Sequence, residues 1–181
     1  MMEKAVMISI RPEWCEKIVN GNKTIEVRKS RPKLEPPFKC YIYCTKAPKG
    51  WFRFSSPPVQ LDGYVIGEFV CDRIFQYASD LFRSAPVEGA DISTEEMVKQ
   101  SCLSAKQLYK YEHSAEPKEN CIYLVGLYGW HITNLKIYDK PKLLSEFSFY
   151  NCSVKWEDGY PMPTHEIKRP PQSWCYVGEV E

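Results

Sequence analysis

Short, mostly apolar runs recur along the chain, and their spacing predicts more strands than helices. AVMISI, residues 5–10, has the length and character of a buried strand. RPEWCEKIVNG (11–21) changes period: Pro12 suits a first helical turn, Trp14, Ile18 and Val19 fall near one stripe, and Gly21 suits the stop. KTIEVRK (23–29) alternates strictly, which predicts a half-exposed strand with Ile25 and Val27 on one face and Thr24, Glu26 and Arg28 on the other. After the proline-marked turn RPKLEPPF, KCYIYCT (39–45) reads as a further strand.

Residues 47–62 are too rich in proline, glycine and serine for regular structure and read as a surface loop carrying Trp51, Phe52 and Phe54. GYVIGEFVCDRIFQY (63–77) is the longest strand candidate, with Gly67 marking a bulge or bend. STEEMVKQSC (93–102) carries a capping box, Ser93 with Glu96, and a second short helix starts at Ser104. Residues 120–139 supply one or two strands broken near Gly126 or Gly129. An irregular stretch, 151–171, leads into a last strand, QSWCYVGEVE. Without regular strand-helix alternation, this order favours an α+β mixed barrel with peripheral helices over a doubly wound sheet.

Length and composition narrow the picture. A chain of 181 residues, 44% apolar and 26% charged, fits one soluble globular domain, 1–181, with loop insertions near 46–62 and 140–165. No apolar run approaches the roughly 20 residues that span a bilayer, and MMEKAVMISI lacks a signal pattern, so no membrane partner and a cytoplasmic protein are expected. The eight cysteines are scattered, several inside apolar runs, as buried thiols are. Cys40 and Cys44 would lie about 13 Å apart on a strand, too far for one zinc to bridge, and the histidines stand alone; neither metal nor cofactor is expected. Charge is uneven: residues 1–60 carry a net +7 and residues 61–181 a net −6. That asymmetry predicts one basic face, the footprint of a nucleic-acid binder.

Charge is densest in NGNKTIEVRKSRPK (20–33), where Lys23, Arg28, Lys29, Arg31 and Lys33 surround Glu26. The span MISIRPEWCEKIVNGNKTIEVRKSRPK resembles the opening of ASCH-domain proteins, members of the PUA-like β-barrel superfamily, in which a strand, a helix and a G-x-K-T-x-E-x-R stretch recur in that order. Here those positions are Gly21, Lys23, Thr24, Glu26 and Arg28. GYVIGEFVCDRI is similar to the family's central strand and RPPQSWCYV to its closing strand. The resemblance implies a PUA-like mixed β-barrel with peripheral short helices, a cleft beside the first helix, and binding of RNA or other nucleic acid or of a nucleotide-sized ligand. The ligand-binding set it points to is Lys23, Thr24, Glu26, Arg28, Lys29, Arg31, Trp174 and Tyr176. Arg28, Lys29 and Arg31 suit phosphates, while Trp14, Trp51, Trp130 and Trp174 offer faces for unstacked bases.

Each of these residues also has a plainer role. Glu26 and Arg28, two apart on one strand face, make a surface ion pair worth at most about 1 kcal/mol. Trp14 packs a helix, Trp174 seals a barrel end, and His131 sits in a core or barrel end. The family also includes an amidohydrolase acting on acylated cytidines through a lysine, a threonine and a glutamate. Lys23 matches the lysine, but Glu26 occupies the threonine position, which removes the activated hydroxyl. A hydrolase reading, amidohydrolase or ribonuclease, therefore rests on Lys23 and Glu26 as catalytic residues around a held water, with Arg28 and Tyr176 or His131 flanking a scissile phosphate. Because Lys23 and Glu26 have opposite parity on a strand, they converge only if Lys23 belongs to the loop after Gly21. A third reading makes the GWFRF loop a docking site for a protein partner.

Overall fold

A computed structural model of the protein describes residues 3–47, 61–78, 90–114, 126–155 and 161–179, with the backbone alone at 151–155 and 161–165. In chain order the elements are β1 (Lys4–Ile10), α1 (Pro12–Val19), β2 (Ile25–Arg28), β3 (Phe38–Cys44), β4 (Val65–Cys71), β5 (Ile74–Tyr77), α2 (Thr94–Ser101), α3 (Ala105–Glu112), β6 (Leu127–His131), β7 (Thr133–Lys142), β8 (Ser148–Lys155), β9 (Pro161–Glu166) and β10 (Trp174–Gly178). The loop bearing Trp51, Phe52 and Phe54 lies outside the described residues.

The fold is α+β and rests on two sheets. Seven strands run in the order β7-β4-β3-β1-β10-β8-β9, and three more in the order β2-β6-β5. β1 pairs parallel with β3 and antiparallel with β10. β1 is buried on both faces, which is why its sequence reads as a continuous run rather than an alternation. Val6, Ile8 and Ile10 join a core with Ile42, Phe69 and Trp130, while Ala5 and Met7 join a second with Tyr41, Phe147 and Val177. A third core, with Ile25, Val27 and Leu127 from the small sheet, is closed by Met97 of α2 and Leu108 of α3.

Several expectations change. Among the described residues the sheets do not close into a barrel: no ladder joins the small sheet to the large one. The chain instead passes between the sheets four times: from β1 through α1 to β2, from β2 back to β3, at residues 72–73 and at Ile132. The run 63–77 is therefore two strands in different sheets, broken by the polar pair Asp72 and Arg73 and not at Gly67, where the expected bulge is found as a register shift between Val65 and Gly67 in the pairing of β4 with both β3 and β7. Gly129 does not break a strand either. It sits inside β6, where a Cβ would lie 2.9 Å from both Ile25 Cγ2 and Met97 Cε, so the helix layer requires its small size. The stretches read as irregular (151–171) and as an insertion (140–165) contain β8 and β9, whose pairing is interrupted by register shifts. The cysteine reading fares better: Cys15, Cys40, Cys44 and Cys71 are buried free thiols.

Gly67 is bound by packing rather than by backbone conformation. An added Cβ would stand 2.5 Å from the Lys136 carbonyl oxygen of β7 and 3.0 Å from Ile137 Cδ1. Backbone cannot yield as a flexible side chain does, so Gly67→Ala is expected to lower stability by about 1–3 kcal/mol, read as a lower urea midpoint with unchanged slope.

Candidate functional site

The site is assembled by the way α1 ends. Gly21 adopts φ +72°, the Gly21 amide donates to the Ile18 carbonyl at 2.9 Å and the Asn22 amide to the Lys17 carbonyl at 2.9 Å. This is a Schellman stop, which favours glycine at the left-handed position. It also leaves Lys23 in the loop ahead of β2, the condition under which Lys23 and Glu26 can meet. They do: Lys23 Nζ lies 3.3 Å from Glu26 Oε2.

Lys23 is 2% exposed, and its ammonium is held by protein groups. Besides Glu26, its ammonium donates to the carbonyls of Ile25 at 2.7 Å and Ser101 at 2.8 Å. Ser101 ends α2, so the ammonium meets the negative pole of that helix. Thr24 reinforces the same junction. Its amide donates to the Gln100 carbonyl at 2.9 Å and its hydroxyl to Gln100 Oε1 at 3.3 Å. The Lys23-Thr24 pair thus has a structural role, docking the β2 loop on the C-terminus of α2.

On β2 the alternation holds, but its polar face is buried rather than half-exposed. Ile25 and Val27 face the third core, while Glu26 and Arg28, 6% and 9% exposed, face a cleft. Arg28 Nη2 lies 3.0 Å from Glu26 Oε1 and donates to the Ser9 carbonyl at 2.5 Å, while Nη1 reaches Ser173 Oγ at 3.4 Å. Glu26 therefore holds Arg28 on one oxygen and Lys23 on the other. The surface ion pair expected from the sequence is a buried triad, in which the charges must satisfy one another because water cannot. Arg28 Nε is buried without a hydrogen-bond partner among the described residues.

The cleft has a volume of about 730 Å³. Its floor is the triad together with Ser9 and Ile10; α1 contributes Trp14, α3 contributes Tyr111, and residues 170–172 form a further wall. That wall is held by Ser9, whose hydroxyl donates to the Pro171 carbonyl at 2.6 Å and whose amide donates to the Ser173 carbonyl at 2.9 Å. Trp14 stands at the Lys23 end, with Lys23 Nζ 5.4 Å from its ring. Tyr111 stands at the other end, where Lys29 Nζ is 5.4 Å from its ring. Burial pushes the Tyr111 hydroxyl above its ordinary pKa; Arg28 and Arg11 oppose that shift and Glu26 reinforces it.

Of the residues singled out in the sequence, Trp14, Lys23, Glu26 and Arg28 line this cleft. Lys29 is not among its lining residues; it donates to Ser114 Oγ at 2.8 Å and lies 5.4 Å from the ring of Tyr111, which does line the cleft. Thr24, Arg31, Trp174 and Tyr176 are not on its walls. Arg31 makes an exposed 3.5 Å pair with Glu35. Trp174 donates from Nε1 to Ser30 Oγ at 3.0 Å and packs on Trp130 and Tyr176. Trp130 is fully buried and offers no face to a ligand. His131 pairs with Asp72 at 2.7 Å, and neither residue lines the cleft. Burial raises the Cys15 thiol well above its usual range, in keeping with packing rather than reactivity. Sequence reasoning missed Arg11, Gln107 and Tyr111. Gln107 and Tyr111 form an i, i+4 row on α3, a signal of a shared face but not of what that face opposes. No group of three or more His, Cys, Asp or Glu among the described residues could hold a metal ion.

Removing Glu26 leaves two buried cations without their shared carboxylate. Glu26→Ala is expected to cost about 3–5 kcal/mol in urea unfolding, whereas Arg31→Ala, at an exposed pair, should shift stability by less than about 1 kcal/mol.

The geometry can be set beside known proteins. The ASCH domain family matches residues 8–122, a span that holds the whole Gly21-to-Arg28 motif. No curated protein sequence matches the chain. A crystal structure of ASCH from Zymomonas mobilis is similar over 95% of this chain and 86% of its own, at 19% identity and a TM-score of 0.54, a likeness of fold alone. A mutant form of the Zymomonas mobilis protein aligns over 96% of this chain and 90% of its own, at 19% identity and a TM-score of 0.48. The matched span takes in more than half of the residues, and the chain belongs to the ASCH domain family.

Proposed function

We infer that the chain binds nucleic acid, RNA in the first place, or a nucleotide-sized ligand, and that the cleft is where one nucleotide unit sits. The observation that carries this reading is the Glu26 carboxylate, fixed between Lys23 and Arg28 on the wall of a 730 Å³ cleft with an aromatic ring toward each end. That volume falls in the range of small-ligand sites, about 300–1,000 Å³. Each Glu26 oxygen has one cationic partner and retains a lone pair, so it can accept from the amino group of a base. Arg28 supplies donors for a carbonyl or phosphate oxygen. Trp14 and Tyr111 are partly exposed rings of the kind on which bases stack. Membership in a family thought to bind RNA supports the same reading. Trp174, Tyr176, Thr24 and Arg31 drop out of the cleft's ligand set, and Trp14 and Tyr111 enter it.

Stacking on an aromatic ring contributes about 1–3 kcal/mol per base. Trp14→Ala and Tyr111→Ala are therefore each expected to weaken binding of a labelled RNA oligonucleotide by about 5- to 150-fold, measured by fluorescence anisotropy at fixed salt. Wild-type affinity should fall as salt rises. Affinity untouched by both substitutions, or indifferent to salt, would sink the reading.

One observation favours a second reading, hydrolysis of a modified nucleoside or of RNA. The 3.3 Å contact between Lys23 and Glu26 places an acid-base pair on the cleft wall. Against it stands the hold on Lys23, whose buried ammonium donates to two backbone carbonyls and is thereby turned toward the protein. Under the binding reading, acylated cytidines and short RNAs incubated with the protein stay intact. Turnover abolished by Lys23→Arg, in a variant that still folds, would establish the hydrolase instead.

A further inference from the structure

Beyond the cleft, two segments run side by side and are stitched together. Arg28 Nη1 reaches Ser173 Oγ at 3.4 Å, Trp174 Nε1 donates to Ser30 Oγ at 3.0 Å, and the Lys33 amide donates to the Tyr176 hydroxyl at 2.6 Å. The contacts step outward in register, 28 with 173, 30 with 174, 33 with 176, and so define a seam that starts at the cleft floor and leads away from it. Five residues reach at most roughly 17 Å.

Cations border this seam. Arg31 and Lys33 are exposed on one segment, and Lys168 and Arg169 are exposed immediately before the Pro170-Pro171 wall. Lys33, Lys168 and Arg169 make no side-chain ion pair among those recorded for the described residues, and Arg31 is engaged only by Glu35, itself 89% exposed. Such a solvent-facing pair is worth little and is readily displaced by a phosphate. At the far end Lys4 Nζ lies 3.7 Å from the centre of the Tyr176 ring, adding a fifth cation. The acidic neighbours are Glu35, Glu166 two residues before Lys168, and, at the Lys4 end, Glu3 and Glu179, the last of which pairs with Lys39 at 3.2 Å. Five cations against these four carboxylates leave the balance positive, with Arg31 and Lys33 exposed on one segment and Lys168 and Arg169 exposed on the approach to the other.

We propose that this seam is a track for the phosphates flanking the nucleotide in the cleft, so that the partner is a single-stranded polynucleotide of about four residues or more and not a free nucleotide. This rests on the cleft reading above and adds to it a length requirement. Exposed cations on both segments of the seam suit the repeated charge of a nucleic-acid backbone, whereas a lone nucleotide would use only the cleft. It also assigns a role to the part of the dense basic row that the triad does not consume: Lys23 and Arg28 are held by protein groups, while Arg31 and Lys33 remain available.

The test uses the full chain, the four nucleoside 5′-monophosphates, and mixed-sequence RNAs of two, four and eight nucleotides, with affinities from calorimetry and anisotropy at several salt concentrations. The octamer is expected to bind at least tenfold more tightly than any monophosphate. Lys33→Glu combined with Arg169→Glu should weaken octamer binding at least tenfold, flatten its log-log salt slope by about 1.4, since each phosphate contact to a single strand contributes about 0.7, and leave monophosphate affinity unchanged. Should the double reversal fail to fold by circular dichroism, Lys33→Gln with Arg169→Gln is read in its place, with the same flattening of slope. A monophosphate that binds as tightly as the octamer overturns the track and leaves the cleft reading standing. Octamer affinity and slope unaffected by the double variant overturn it as well, and so does equal competition by a polyglutamate peptide of matching charge. Binding of neither monophosphate nor octamer overturns the cleft reading itself, and the track with it.

Discussion

One carboxylate is shared between two cations, and the rest of the site is arranged around that sharing. Glu26 cannot be buried as an isolated charge, nor can Lys23 or Arg28, because the cost of dehydrating an unpaired ion exceeds what packing returns. Each cation then recruits a different part of the fold for its remaining donors. Lys23 draws in the carbonyl end of α2, and Arg28 draws in the end of β1 and the segment at Ser173. Three elements distant in the chain are thereby held at set positions, and the cleft is the space left among them.

The triad changes how a basic sequence should be interpreted. Five cations within fourteen residues read as a surface for anions, yet two of them are committed to internal partners and a third, Lys29, donates to Ser114. What a ligand would meet in the cleft is a nearly balanced set of charges with directional donors and acceptors, a surface suited to discriminating hydrogen-bond patterns. Bulk positive charge lies outside, on Arg31, Lys33 and the residues before Pro170. Orientation and attraction are thus divided between adjacent regions.

Much of the local structure was legible because it rests on period and stop signals. The run at 5–10, the helix ended by Gly21, the alternating strand after it and the two capped helices all occur where those signals lie. The requirement that Lys23 sit in the loop, for the two ions to meet, was a parity argument and holds in the structure. Tertiary arrangement was less legible. Nothing in GYVIGEFVCDRIFQY says that its two halves join different sheets; that depends on β6 being available to pair with the second half. β8 and β9 were hidden by proline and polar residues in strands whose pairing is irregular. Trp130 and Trp174 are alike in composition, but only position in the sheet decides that one is sealed and the other half-covered. Tyr111 could not be found because helical period identifies a face without naming what lies opposite.

One wall of the cleft, residues 170–172, comes from beyond the span that matches the family. The shared motif fixes the charged floor and is constrained by its part in holding α2 and β1 together, so it has little freedom to drift. Residues 170–172 carry a lighter load, one hydrogen bond from the Ser9 hydroxyl to the Pro171 carbonyl, whereas the chain from Ser173 onward is tied to Ser9, Arg28, Ser30 and Lys33 and enters the large sheet as β10. Substitutions confined to residues 170–172 can therefore reshape the recess of this chain while the ionic scaffold underneath stays intact.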